Sequence, residues 1–395
     1  MSFLDKLKIL GASAKYDLCA STASTRTANR PISNQFEIGK TVAGGICHSF
    51  TPDGRCVSLF KVLLTNRCSN DCAYCNNRCG RDCPRVSFEP EELSRIFTAL
   101  YERNYVEGLF LSSGVPGDPE RVMEKTLDVV ELLRNRYRFN GYVHLKIMPG
   151  SNYDQVKHAC EIADRISLNV ETPSQSRLSE LSSTKNLKTD ILKRMEWAKS
   201  FADKGRMCAP AGQTTQFVVG PAGESDLEIL QMMEQLYSEQ MRLRRVYFSA
   251  FDPVPGTPLE KVPKTPLARE VRLYQADFLY RRYNFSFREL KTVLNDNDMF
   301  DLSVDVKLVY ALQNPELYPV EINDENTILE NLLKVPGIGP RSAGRILDAK
   351  RAGFRFSKLK ELARLGVVVK RARPFLEING CRQAKLDEMN VYAWR

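Results

Sequence analysis

Cys68, Cys72 and Cys75 fall in the run CSNDCAYC, a C-x3-C-x2-C spacing with an aromatic residue, Tyr74, just before the third cysteine. Three thiolates from one short loop can hold three irons of a [4Fe-4S] cube and leave the fourth iron open, whereas an electron-transfer cluster normally takes four cysteines. An open iron is a place for chemistry. Cys79 and Cys83 follow closely, so a closed four-cysteine zinc knuckle is the competing reading. Upstream, Cys19, Cys47, His48 and Cys56 surround a glycine-rich segment, residues 44–54, and form a candidate second site for an auxiliary cluster or a zinc. Their spacings match no closed-site pattern, which favours incidental thiols in an N-terminal wrap.

A chain of 395 residues with 43% hydrophobic content has room for a full enzyme domain and a smaller module. No apolar run approaches the ~18 residues that span a bilayer, and the start, MSFLDKLKIL, mixes charge into its apolar residues, so a cytoplasmic protein is expected. Eleven cysteines in such a chain point to metal or redox chemistry rather than a disulfide framework. Cys160 and Cys208 read as small buried apolar residues, and His144 and His158 as satisfied structural ones. The net charge of +9 is unevenly placed: residues 334–395 carry 15 Lys/Arg against 5 Asp/Glu, so the remaining residues are close to neutral.

These reactive residues need elements to position them. From residue 57 to about 283 the chain alternates β-branched or apolar runs with amphipathic stretches, the pattern of a parallel α/β sheet. Six units are expected, with strands at 57–65, 107–112, 142–147, 165–171, 214–219 and 245–250. Helices are expected at 89–103, 119–137, 152–162, 186–204, 224–240 and 266–283. Asp118 followed by Pro119 is a helix-start signal for the second of these. Six βα units make a partial (β/α)6 barrel, in which chemistry collects at the carboxyl ends of the strands. The cysteine loop follows the first strand on that rim.

The cysteine motif with its aromatic residue resembles that of the radical S-adenosylmethionine (SAM) enzymes. The resemblance implies that SAM chelates the open iron, that a reduced cluster cleaves it, and that a 5′-deoxyadenosyl radical abstracts hydrogen from the substrate. It further implies a SAM site on the rim. Tyr74 would lie against the cofactor, and Ser112, Ser113 and Gly114 look like the turn that receives the methionine amino group. Asn169 and Glu171, two apart and so on one face of a strand, would meet the ribose. Val219, Gly220 and Glu224 resemble the glycine segment beside the adenine, and Phe248 opens a sixth-strand ending, YFSAFDPVPGTP at 247–258, seen in several such enzymes. No acid–base constellation stands out, and radical chemistry does not require one.

Beyond residue 295 the barrel rhythm stops. After a Pro/Asn-rich connection comes PGIG at 336–339, resembling the turn of a helix-hairpin-helix motif, with a second, less regular copy at 359–375. Glycines allow close backbone approach, and the amides that open the following helix suit a phosphate. Gly337, Ile338, Gly339, Arg341 and Arg345 are therefore the expected DNA contacts, made to the backbone without reading sequence. A basic solvated cap or a protein-binding module is the alternative for this tail.

The expected organisation is an N-terminal extension at 1–56, the barrel at 57–290, a connector at 291–326 and a small all-α helix-hairpin-helix domain at 327–395. The combination resembles a bacterial family of DNA modification or repair radical SAM proteins associated with a uracil-DNA-glycosylase-like partner. GICHS at 45–49, LTN at 64–66, EGLFLSSG at 107–114, AGQTTQ at 211–216, RLYQAD at 272–277 and VPGIG at 335–339 carry that likeness. The expected function is radical chemistry on DNA, with a [4Fe-4S] cluster, SAM, and an electron donor such as flavodoxin or ferredoxin. Two alternatives stay open: the same chemistry on structured RNA, since hairpin amides do not demand deoxyribose, and a non-catalytic, metal-stabilised DNA-binding scaffold.

Overall fold

The structure, a computed structural model, describes residues 3–14, 46–50, 56–203 and 208–382. The chain divides into two compact units, residues 1–224 with 232–265, and residues 225–231 with 266–395. Among the described residues no helix is long and apolar enough to cross a membrane.

The first part of the chain runs α1 (Phe3–Ser13), β1 (Ile46–Phe50), β2 (Cys56–Leu63), α2 (Pro90–Glu102), β3 (Gly108–Ser112), α3 (Pro119–Glu131), β4 (Tyr142–Lys146) and α4 (Tyr153–Ile162). It continues through β5 (Arg165–Ser167), α5 (Gln175–Leu181), α6 (Lys193–Asp203), β6 (Gln213–Val219), α7 (Asp226–Tyr237) and β7 (Arg245–Ala250). All seven strands join one sheet in chain order. β2 to β7 run parallel, the six strands the hydrophobic pattern indicates. A parallel sheet whose strands follow each other in order curls one way, here into a half-barrel.

Local chemistry sets the element ends. β3 is buried along its whole length, as a strand covered on both faces must be. Asp118 caps α3 by accepting from the Glu120 amide at 2.9 Å, with Pro119 at the first helical position. Asn152 and Gln155 close a capping box on α4. Helical structure expected at 119–137 is α-helical to Glu131 and then widens to a π-turn over Leu132–Arg136. There Arg134 donates to the carbonyls of Ile162, Phe139 and Gly141 and pairs with Asp164 at 2.9 Å.

Two expectations are corrected here. The segment assigned to an N-terminal extension contributes β1, antiparallel to β2, with Cys47 opposite Leu59 and Phe50 opposite Cys56. The strand expected at 165–171 pairs regularly only to Ser167. The Thr215 hydroxyl then takes over, donating to Leu168 at 2.7 Å and accepting from Val170 at 3.0 Å, and the ladder resumes as a single bridge between Glu171 and Phe217.

The second unit holds α8 (Leu267–Arg282), α9 (Phe287–Thr292), α10 (Val306–Gln313), β8 (Val320–Glu321), α11 (Leu329–Lys334), α12 (Pro340–Arg351), α13 (Leu359–Arg364), α14 (Val369–Ala372), β9 (Leu376–Ile378) and β10 (Cys381–Arg382). Its boundary lies before α8, not near residue 290, because α8 is bonded to the following segment. Arg272 donates to Asp301 and Leu302, and Gln275 to Asp305. The C-terminal part is not all-α either: β8, β9 and β10 form a small sheet in the order β10-β9-β8, where buried Leu376 and Ile378 join the helical core. Asp226, fully buried, accepts from Arg269 at 2.8 Å and from the Phe300 amide at 2.9 Å.

Lys307 in α10 is buried, donates to the Ile338 carbonyl at 2.6 Å, and lies over the Tyr283 ring. Burial pushes its pKa from 10.5 down to about 7, with Arg371 and Lys334 adding to the depression and Asp305 opposing it. The unfolded chain therefore binds the extra proton between those two values, so stability should rise as pH climbs from about 7 to 10.5. Urea unfolding at pH 7 and pH 9 checks this: the wild type is expected to gain stability at pH 9, and Lys307→Met to lose that gain.

Candidate active site

The chain between β2 and α2 has no regular structure to hold it, yet it carries Cys68, Cys72 and Cys75. Its stem is an antiparallel bridge between Thr65 and Ser87, with the buried Asn66 side chain bonded to Pro84 and Val86. Inside the loop, the Arg85 guanidinium donates to four carbonyls, those of Asn66, Asn77, Arg78 and Arg81, at 2.6–3.1 Å. Turn carbonyls that would otherwise repel each other are gathered on one cation. Two cysteine sulfurs also take backbone amides, Cys68 from Val115 at 3.5 Å and Cys75 from Asn77 at 3.3 Å. Gly114 is forced by closeness: a Cβ there would sit 2.4 Å from the Arg67 carbonyl oxygen, so the turn after β3 lies directly against the cysteine loop.

The three cysteines line a cavity of about 540 Å³ at the carboxyl ends of the strands. Tyr74, Ser112, Ser113, Gly114, Asn169 and Glu171 line it too, as the motif order leads one to expect, joined by Lys146, Lys185, Gln216, Val218, Ser249 and Asp252. Val219 and Phe248 do not: both are fully buried, Phe248 stacked on Phe217, and their neighbours Val218 and Ser249 line the cavity instead. The two-residue period of a strand accounts for the shift. Gly220 and Glu224 lie outside the lining as well. They close the turn after β6, where the Gly220 amide bonds to the Glu224 carboxylate and Gly220 adopts φ +105° under Thr265.

Glu171 is buried and holds a left-handed φ of 65°, which a non-glycine residue adopts only when its surroundings impose it. Bonds from the Glu171 amide to Gln216 and from the Val218 amide to Glu171 impose it. Its Oε1 lies 3.4 Å from Lys185 Nζ, and its Oε2 is buried without a hydrogen-bond partner. Burial alone would lower the Lys185 pKa; Cys72, Glu171 and Cys75 outweigh it and hold the amine charged. Burial and the Glu171 charge push the Tyr74 hydroxyl well above its ordinary value. Burial and neighbouring Cys72 push the Cys75 thiol up to about 12. On the loop's outer side, burial opposes ionisation of Asp71, but bonds from Ser183, Ser182 and Thr184 hold its carboxyl well below the usual range.

This environment fits a cluster and a nucleoside cofactor. Three cysteine sulfurs facing one cavity suit a cationic metal centre, which takes them as thiolates, and an orphaned buried carboxylate oxygen suits hydroxyl donors. Arg85, Lys185 and Asp71 escape sequence reasoning, because nothing in their local spacing marks them. Among the described residues no three His, Cys, Asp or Glu side chains are gathered closely enough to hold a metal ion, the three loop cysteines included, so that binding a cluster would draw those sulfurs together. Of the candidate second site, Cys19 lies outside the described residues, and Cys47 and Cys56 stand three register positions apart along the β1–β2 ladder.

In the second unit, α11 and α12 are joined by the turn containing Gly337, Ile338 and Gly339, and α13 and α14 by a turn containing Gly366 and Val367. The two hairpins meet through a bond from the Val368 amide to the Gly337 carbonyl. Gly337 has φ +86°, and a Cβ there would meet the Val368 carbonyl oxygen at 2.6 Å. Ile338 is a core residue and Gly339 precedes α12, while Arg341 and Arg345 are exposed.

Residues 62–236 match the family model described as the Radical SAM superfamily. The chain accordingly carries a radical SAM domain over those residues, and enzymes of that superfamily use a [4Fe-4S] cluster and S-adenosylmethionine. No curated protein matches it by sequence. Among solved structures it is similar to the FeFe-hydrogenase maturase HydG of Carboxydothermus hydrogenoformans, at 14% identity and a TM-score of 0.44, over 55% of this chain and 49% of that one. It is also similar to methylornithine synthase (PylB), at 16% identity and a TM-score of 0.41, over 53% and 60% of the two chains. A radical SAM methyltransferase from Sphaerobacter thermophilus is similar at 15% identity and a TM-score of 0.43, over 58% and 68%. The match covers about half the length of the HydG chain.

Replacing Arg85 by Ala leaves four turn carbonyls without their donor and should destabilise the loop by about 3 kcal/mol. The expected result is a protein with native far-UV circular dichroism that retains less than about half the wild-type iron after anaerobic reconstitution and desalting.

Proposed function

We propose that this radical SAM enzyme acts on DNA, as a modification or repair activity. Cys68, Cys72 and Cys75 would hold the cluster and leave one iron for SAM. Tyr74, Ser112, Ser113, Gly114, Asn169 and Glu171 would seat SAM, with Glu171 Oε2 accepting from the ribose and Lys185 facing an anionic group. Gly220 and Glu224 would act one step removed, by shaping the turn after β6. A cluster and SAM held there, with one electron from a flavodoxin or ferredoxin, would supply radical chemistry that removes a hydrogen atom from the substrate and leaves 5′-deoxyadenosine and methionine as products. The chain's own part is to orient the pair and to keep water from the cavity.

The observation that carries the choice of DNA is the pair of glycine hairpins in the second unit, set in a chain segment with a strong positive excess. Amides opening α12 beside exposed Arg341 and Arg345 suit a phosphodiester, and such contacts hold register without reading bases. A base inside a duplex must be extruded before the cavity can receive it, a step for which a uracil-DNA-glycosylase-like partner is the proposed helper.

The test is to quantify 5′-deoxyadenosine by mass spectrometry after adding dithionite and SAM to the reconstituted enzyme, with DNA, with RNA and with neither, using Cys72→Ala as blank. A rise with DNA above RNA is the expected outcome. A larger rise with structured RNA would move the substrate to RNA, and no product above the blank would leave a metal-stabilised DNA-binding scaffold. In binding titrations on duplex DNA, the double variant Arg341→Ala/Arg345→Ala should reduce the salt slope of log K by about 2.

A further inference from the structure

Asp71 lies between Cys68 and Cys72 in sequence, yet its carboxylate faces a different part of the chain. It accepts from the Ser182 hydroxyl at 2.7 Å, the Ser183 hydroxyl at 2.6 Å, the Ser183 amide at 3.2 Å and the Thr184 hydroxyl at 3.2 Å. Those donors form the irregular turn after α5. Beside this contact, the Ala73 amide bonds to the Leu181 carbonyl at 2.7 Å, and Thr184 also reaches the Asn70 side chain. The residue that follows Thr184 is Lys185, whose amine faces Glu171 and the Cys72 thiol. One carboxylate thus ties the metal-binding loop to the only segment that delivers this lysine.

We propose that Asp71 is a positioning residue: it latches the 182–185 turn to the cysteine loop, fixing Lys185 between Cys72 and Glu171, and thereby sets the affinity for SAM without being needed to assemble the cluster. The geometry separates these two roles. Cluster assembly depends on the loop's own fold, which Arg85 and the Thr65–Ser87 stem maintain. The backbone carbonyl of Asp71 belongs to that internal frame, accepting from Arg78, and is kept in any side-chain variant; the carboxylate does not, since its four donors all come from outside the loop. Both carboxylate oxygens are used, and asparagine weakens the latch: it keeps one acceptor oxygen, carries no charge, and turns an amide nitrogen toward a serine hydroxyl that must then accept instead of donate.

The inference rests on the cavity being the SAM site, and wild-type SAM binding tests that reading separately. Three measurements compare wild type with Asp71→Asn. In the metal-free protein, hydrogen exchange should be at least about tenfold faster at the Ser183 amide, which both carboxylate oxygens accept from and which keeps only one uncharged acceptor. After reconstitution, iron and sulfide content should match wild type. Titration of SAM, followed by the change in the electron paramagnetic resonance spectrum of the reduced cluster, should give a dissociation constant about tenfold higher. In 5′-deoxyadenosine assays KM for SAM rises while kcat stays within about twofold.

If wild type responds to SAM but Asp71→Asn binds it equally well, the latch is overturned; loss of iron from Asp71→Asn overturns it too, by making Asp71 part of the loop's own frame. Ser183→Ala/Thr184→Ala removes two donors while leaving Asp71 in place and is read by the same three measurements. It should weaken SAM binding in the same direction, and unchanged binding in a well-folded double variant would sink the proposal even if Asp71→Asn does not fold.

Discussion

The guanidinium of Arg85, bonded to the carbonyls of Asn66, Asn77, Arg78 and Arg81, is the constraint on which the site depends. The segment that carries the three cysteines forms neither helix nor strand between β2 and α2. An irregular segment exposes carbonyls that no ladder satisfies. Gathering four of them on one planar cation gives the loop a centre, while the three cysteines line the cavity. A lysine, with a point charge and three donors, would not match that fork.

Around this loop the half-barrel acts as a ruler. β2, β3 and β5 end at similar depths, so the cysteine loop, the Ser113–Gly114 turn and the Glu171 carboxylate reach the same cavity. The interruption after Ser167 is part of that arrangement. By taking the backbone bonds of Leu168 and Val170, Thr215 lets Glu171 leave regular strand geometry and enter a left-handed conformation. The conformational cost is met by the bonds on either side of Glu171, as with strained residues held at functional sites.

Charge is handled differently in the two units. In the first, Lys185 and Glu171 form a pair with one carboxylate oxygen left unused, a partly satisfied arrangement that suits an incoming ligand. In the second, both Asp226 oxygens are bonded, to Arg269 and to the Phe300 amide, and Lys307 donates to the Ile338 carbonyl of the hairpin turn. Both groups are buried and bonded within the unit, and they serve its packing.

Much of this was legible in the amino-acid order. The three cysteines, the six parallel strands and the glycine hairpin announce themselves through fixed spacing, period-two burial and the special backbone needs of glycine, all local properties. Asn169 and Glu171 could be placed on one face for the same reason. What only the tertiary structure decided are relations between distant segments: Arg85 with its four carbonyls, Asp71 with the turn at 182–184, Lys185 with Glu171, and which of Val218 or Val219 faces the cavity. The strand ending at Ser167 and the grouping of α8 with the C-terminal unit belong here too, since each depends on a partner many residues away. A hydrogen bond between side chains a hundred residues apart leaves no periodic trace in sequence, because its geometry is set by the fold that brings the partners together.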